Sequence, residues 1–128
     1  MFEKLEVLQM AQSMARQAAL RQGAVAENIA NADTPGYRAR DVAAFSETYE
    51  TQLRSPMRAT RPGHLGGGGS YRVEVGEDAA AQTTSPDGNS VSLEEEMVKA
   101  VEVKRNHDLA LAVYKSSLNV LRASLGRS

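Results

Sequence analysis

Two proline-free stretches, one at each end, leave this chain little choice of architecture. Residues 2–31 contain one glycine, Gly23, and residues 93–125 contain none, so nothing in either forbids a helix many turns long. At about 100° per residue, Val7, Ala11, Met14, Ala18, Val25 and Ile29 gather on one side of the first stretch. Leu5, Leu8, Ala15, Ala19 and Ala26 widen that side to roughly 200°, more than one partner helix covers. The alanines favour helix at little entropic cost and let a neighbouring axis come close.

The second stretch has a sharper period. Leu93, Ala100, His107, Tyr114 and Leu121 recur every seven residues, and so do Met97, Lys104, Leu111, Leu118 and Leu125. The two series interleave as the a and d positions of a coiled coil, with Lys104 and His107 interrupting the seam at its middle. Ser92 stands three residues before Glu95, the spacing of a capping box, and Gly126 supplies a stop.

Between these helices the signals are those of turns and short elements. Asp33-Thr34-Pro35-Gly36 ends the first helix, because proline disfavours α conformation in the residue before it and glycine permits a positive φ. An extended leg over residues 37–41 follows. Val42, Phe45, Tyr49 and Leu53 then predict a short helix ending before Pro56. Residues 61–70, Arg-Pro-Gly-His-Leu with four glycines and a serine, predict a loop with no single shape of its own. The run at 66–70 also has the composition of an inserted linker. Tyr71, Val73 and Val75 alternate with Arg72 and Glu74, as in a short strand or hairpin arm, and Pro86-Asp87-Gly88 marks a turn.

Composition removes several functions. The chain has no cysteine, hence no thiolate chemistry, and its formal charge of −1 gives no electrostatic reason to expect nucleic acid as a partner. No segment approaches the roughly 20 apolar residues of a membrane span. Residues 1–8 carry Glu3, Lys4 and Glu6 among their apolar positions, unlike a cleaved signal peptide. His64 and His107 have no second ligand at metal-binding spacing. Glu94, Glu95 and Glu96 complement a helix dipole, and no serine lies in a nucleophile elbow. Catalytic, cofactor and metal sites are therefore not expected. Six arginines, at 38, 40, 54, 58, 61 and 72, precede the strand, and Glu74, Glu77, Asp78, Asp87 and the three glutamates follow it. Such asymmetry could set a register between subunits, although a solvated surface is the commoner explanation.

Asn28-Ile29-Ala30-Asn31-Ala32-Asp33-Thr34-Pro35-Gly36-Tyr37-Arg38 resembles the signature near the N-terminus of the flagellar axial proteins, the family of rod, hook and hook-associated subunits. Arg40-Asp41-Val42, Arg61-Pro62-Gly63-His64-Leu65, Asp87-Gly88-Asn89-Ser90-Val91 and Tyr114-Lys115-Ser116-Ser117-Leu118 resemble sequences of proximal rod subunits in that family. The resemblance implies a non-catalytic subunit exported by the flagellar type III apparatus without a cleaved signal peptide. It would polymerise into a periplasmic rod that transmits torque and encloses the export channel. Implied partners are further copies, other proximal rod proteins, the rod-base adaptor of the MS ring and the export gate, with no nucleic acid and no membrane insertion. Another axial subunit is the alternative, and a coiled-coil adaptor or secretion chaperone a more distant one.

The expected fold is mainly α and forms one unit over residues 1–128. Terminal helices over 1–31 and 92–126 pack as an antiparallel coiled-coil-like stalk, and an irregular middle over 32–91 carries a short helix and a short strand or hairpin. Asn28, Asn31, Thr34, Pro35, Gly36 and Tyr37 are the candidate assembly turn. Val7, Met14, Ala18, Val25, Leu111, Tyr114, Leu118, Leu121 and Leu125 are the candidate packing seam.

Overall fold

The computed structural model describes residues 2–54, 71–81 and 84–126. The Arg-Pro-Gly-His-Leu and glycine run at 61–70 lies outside them. The elements are α1 (Phe2–Ala30), β1 (Arg40–Val42), α2 (Phe45–Arg54), β2 (Val75–Glu77) and α3 (Leu93–Leu125). The structure is mainly helical, with long α1 packed against long α3 and the short elements between them in sequence. The two long helices run antiparallel: Arg21 meets Glu102, and Ala11 and Ala15 line one cavity with Leu111 and Tyr114. No helix among the described residues is long and apolar enough to cross a membrane.

Small side chains make this contact. Ala11, Ala18, Ala24 and Val25 of α1 and Val103 and Ala110 of α3 are buried, joined by Ala39 and Val42 from the leg. With alanine on both sides the helix axes can approach closely, but little apolar area leaves water, and each residue contributes little. Met14, Tyr114, Leu118 and Leu121 are half-buried along the edges of the same contact.

The seam differs from the heptad expectation by one residue. The buried positions of α3 are Glu96, Val103 and Ala110, seven apart, while Met97 is 65% exposed, Leu111 39% and Leu125 68%. One residue is 100° of rotation, so Met97 and Lys104 turn to solvent, while Leu111 and Leu118 of the same series stay at the edge of the contact. Turning the helix this way spares Lys104 at the cost of burying Glu96, which has a cation at hand. Likewise Val7 and Ile29 of α1 are 38% and 42% exposed, because one partner covers only part of a stripe that wide.

Both ends of α3 follow local chemistry. Ser92 accepts the Glu95 N–H at 3.5 Å, and the Gly126 N–H bonds to the Arg122 carbonyl at 2.8 Å. In the middle, β1 and β2 form a two-stranded antiparallel sheet with Arg40 opposite Glu77, Asp41 opposite Gly76 and Val42 opposite Val75. The strand expected from Tyr71 onward begins only at Val75. Residues 71 and 72 are instead held by α2: Tyr71 packs on Phe45 and Tyr49 at centroid separations of 5.4 and 6.0 Å, and the Gln52 side-chain amide bonds both backbone groups of Arg72.

Ala110 has no exposed surface. Ala110→Leu is expected to destabilise the chain by about 1–3 kcal/mol through overpacking, whereas Met97→Ala, on the exposed side of α3, is expected to cost less than about 1 kcal/mol. Urea unfolding of the two variants checks the rotated register.

Candidate functional site

The end of α1 presents a problem common to every helix: its last carbonyls have no partner within the helix. This chain answers it with asparagines. Asn28 is fully buried, and its side chain treats Arg40 as a strand neighbour would, donating from Nδ2 to the Arg40 carbonyl at 2.7 Å and accepting the Arg40 N–H on Oδ1 at 2.9 Å. The same Oδ1 accepts the Tyr37 hydroxyl at 3.2 Å. Burial and the Glu27 carboxylate push the Tyr37 phenol above its ordinary value, which keeps it a donor. Asn31 bonds back to the Glu27 carbonyl and accepts from Thr34 Oγ1 at 3.1 Å.

The chain then reverses over Thr34-Pro35-Gly36-Tyr37. The Tyr37 N–H reaches the Thr34 carbonyl at 3.3 Å, and Gly36 has φ +74°, a conformation that L side chains rarely adopt. All six candidate turn residues, Asn28, Asn31, Thr34, Pro35, Gly36 and Tyr37, therefore meet in one structure.

Its central side chain comes from elsewhere. Asn89 is 2% exposed, and its Nδ2 lies 2.8–2.9 Å from the carbonyls of Asn31, Ala32 and Thr34, which stand 55 to 58 residues earlier. Its Oδ1 accepts the Val91 N–H at 2.8 Å. Around it, the Gly36 N–H bonds to the Asp87 carbonyl, the Ser90 N–H to the Tyr37 carbonyl, and the Ala39 N–H to Ser90 Oγ. Gly88, at φ +85°, brings its backbone against Gly36: a Cβ there would stand 3.4 Å from the Gly36 Cα. The two motifs, 28–38 and 87–91, are thus halves of one knot. Sequence reasoning singled out the first half as a site; in the second, Pro86-Asp87-Gly88 marked only a turn, and Asn89 entered only through the family resemblance of residues 87–91.

A charged clamp lies below the knot. Lys99 Nζ of α3 stands 2.6 Å from Asp78, 3.5 Å from Asp41 and 3.6 Å from Glu96, and Asp41 also takes Arg21 Nε at 3.0 Å. The clamp ties both legs of the middle segment to both long helices. Burial alone would raise the Asp78 carboxyl, but the Lys99 bond and the Ala80 N–H outweigh it and hold Asp78 below its ordinary value. Burial likewise works against the Lys99 charge, and the Asp78 bond with the Asp41 and Glu96 carboxylates outweighs it and holds Lys99 above its ordinary value. Glu96 is 1% exposed, and its Oε2 has no hydrogen-bond partner among the described residues. Its burial therefore costs stability that Lys99 offsets in part. Nothing in the local sequence signalled this clamp.

Two variants test the arrangement. Asn89→Ala strands buried carbonyls and is expected to cost about 2–3 kcal/mol. Lys99→Met is expected to cost about 2–3 kcal/mol at neutral pH, less than in a fully buried pair because Lys99 keeps some exposure. The Asp78 contribution is complete above its ordinary value of 3.8 and is lost as pH falls through the lower folded value. The Lys99 contribution is complete below 10.5 and is lost as pH rises through the higher folded value. Urea unfolding should therefore show the largest gap between wild type and Lys99→Met on the plateau between these limits, narrowing in acid.

The sequence pattern of the family described as flagella basal body rod protein matches residues 8–38, the span of α1 from its second turn through the knot's first half to Arg38. The chain is 36% identical to the flagellar basal body rod protein FlgB of Agrobacterium fabrum, over 89% of this chain and 88% of that one. It is 30% identical to the protein of that name from Salmonella typhimurium over 78% of each, and 29% identical to that of Escherichia coli over 96% and 99%. Because this likeness runs through nearly the whole of both chains and the matched pattern falls on the capped turn, the chain belongs to the flagellar basal body rod protein family and is a structural subunit of the flagellar basal body.

Proposed function

We propose that this chain leaves the cell body through the flagellar type III export apparatus without a cleaved signal peptide and polymerises at the base of the periplasmic rod. There it works as a non-catalytic element that transmits torque and helps enclose the export channel. Its neighbours are further copies, other proximal rod proteins, the rod-base adaptor of the MS ring and the export gate. The observation that carries this reading is the mismatch between a thin core and a wide apolar exterior. The helix pair buries mainly alanine and valine, while Leu20, Leu93, Met97, Val98, Val101 and Leu109 are 42 to 70% exposed. Apolar residues left outside on both helices fit a subunit whose remaining burial is made with neighbours.

In this reading Asn28, Asn31, Thr34, Pro35, Gly36 and Tyr37 act in assembly as a shape. They fix the angle at which the leg leaves α1, and therefore what the leg can reach on a neighbour. The exposed residues Val7, Leu111 and Leu125, with the half-buried Met14, Tyr114, Leu118 and Leu121 and the buried Ala18 and Val25 behind them, belong to the packing faces.

Gly36→Val tests the shape directly, because a β-branched residue is strongly disfavoured at φ +74°. In a strain whose own copy of the gene is replaced, the variant is expected to be exported while complete rods and swimming are lost. Normal swimming with normal rods would contradict the reading.

A further inference from the structure

Asp87 is the one aspartate of the chain that precedes a glycine. Asp33, Asp41, Asp78 and Asp108 are followed by threonine, valine, alanine and leucine, and no asparagine precedes a glycine. The pairing matters because an aspartyl carboxyl is open to attack by the backbone nitrogen of the next residue. That nitrogen bonds to Cγ, the carboxyl oxygen leaves as water, and a five-membered succinimide ring closes. Water then reopens the ring at one carbonyl or the other. One opening restores aspartate, and the other gives isoaspartate, whose main chain runs through Cβ and Cγ. The reaction consumes one water and returns one, and needs no oxidant or enzyme. A side chain on the following residue hinders ring closure, and glycine has none.

The fold keeps the two reacting groups apart with hydrogen bonds. The Gly88 N–H donates to the Ser85 carbonyl at 2.8 Å across a turn with Pro86 and Asp87 at its corners, and the Ser85 N–H returns to the Asn89 carbonyl at 2.8 Å. Gly88, at φ +85°, is the left-handed residue that follows such a turn in a three-residue loop. The attacking nitrogen is therefore held with its proton on Ser85. The carboxyl is held as well, since Asp87 Oδ1 accepts the Asn89 N–H at 3.2 Å and turns past Gly88 to the residue beyond. The Asp87 carbonyl accepts the Gly36 N–H at 2.9 Å, which fixes the peptide that ring closure must rotate. Asn89, bonded to the carbonyls of Asn31, Ala32 and Thr34, anchors the whole turn against the end of α1. Asp87 itself is exposed, so these bonds protect it and burial does not.

The knot in turn does not accommodate the product. Isoaspartate inserts one more atom into the main chain between residues 87 and 88. The carbonyl that Gly36 uses is then displaced, and Asn89 loses its place opposite three buried carbonyls that have to be satisfied.

We propose that Asp87 is a site of spontaneous isoaspartate formation guarded by the closed knot: the chain is modified there while the knot is open, and a modified chain cannot close it. The proposal goes beyond the rod-subunit reading and stands or falls without it. In the assembly role described above, its consequence is a subunit that lacks the turn orienting its leg.

The purified full-length chain tests this directly. It is incubated at neutral pH in native buffer and, in parallel, in guanidinium chloride. Isoaspartate is then counted by an isoaspartate-specific protein methyltransferase with labelled S-adenosylmethionine, and an endoproteinase that cuts before aspartate but not before isoaspartate assigns the residue. Unchanged mass separates the product from deamidated Asn89. The expected result is label at residue 87 that accumulates many-fold faster in denaturant than in native buffer. Equal rates in the two conditions, or label concentrated at another aspartate, overturn the proposal.

Two further readouts separate the knot from folding in general. Asn89→Ala keeps the Asp87-Gly88 pair and removes the anchor, so in native buffer it is expected to gain label several-fold faster than the wild type. A variant that keeps its helices by circular dichroism and is as slow as the wild type overturns the protective role of the knot; for one that loses them, the wild-type comparison decides. Wild-type chain isomerised in denaturant and returned to native buffer is expected to show fast exchange at the Gly36 and Ser90 amides, which the unmodified knot protects. Unchanged protection at both amides in the isomerised fraction overturns the claim that the modified chain cannot close the knot.

Discussion

The reversal at the end of α1 rests on one side chain. Backbone carbonyls that leave a helix and enter a buried turn must find donors, and here the Nδ2 of Asn89 serves three of them from 55 to 58 residues away. Because Asn89 stands three residues before the Ser92 cap, the group that ends one long helix is positioned by the start of the other. The register between α1 and α3 is thereby set at the closed end of the pair, and it does not depend on a large apolar core further along. Asn28 contributes in the same currency, holding the leg at Arg40 with two hydrogen bonds in the manner of a neighbouring strand.

Away from that end the pairing is thin. Alanine against alanine and valine gives close axes but little burial. The clamp around Lys99 adds directionality more than net stability, since it includes the buried Glu96 with one carboxylate oxygen unpartnered among the described residues. The knot and the clamp both lie at the closed end of the pair, while exposed apolar residues run along both helices, from Leu93, Met97 and Val98 to Leu5 and Val120. In the proposed assembly role the turn orients the leg, and the exposed apolar helix faces are what other subunits would cover.

Much of this was legible from residue order. Freedom from proline located the two long helices, Ser92 and Gly126 marked the limits of α3, and Pro35-Gly36 placed the reversal, because each of these signals acts within a few residues. The heptad count on α3 was legible but ambiguous by one step. The choice between burying Glu96 and burying Lys104 depends on whether a countercharge is near, and Lys99, Asp41 and Asp78 are brought together only by the fold. The strand expected from Tyr71 was shortened for a related reason, since Gln52 on α2 occupies the backbone groups of Arg72. Asn89 follows the Pro86-Asp87-Gly88 turn and carries no local signal of its own. Its bonds to the end of α1 have no local period and could not be counted along the chain.

Hydrogen exchange of each backbone amide, compared between the purified monomer and the chain in isolated basal bodies, tests the central claim most directly. The account predicts that residues 28–42 and 87–91 are protected in both states, while the open ends of α1 and α3 exchange freely in the monomer and become protected only in the assembly. Strong, even protection along the full length of both helices in the monomer would contradict it.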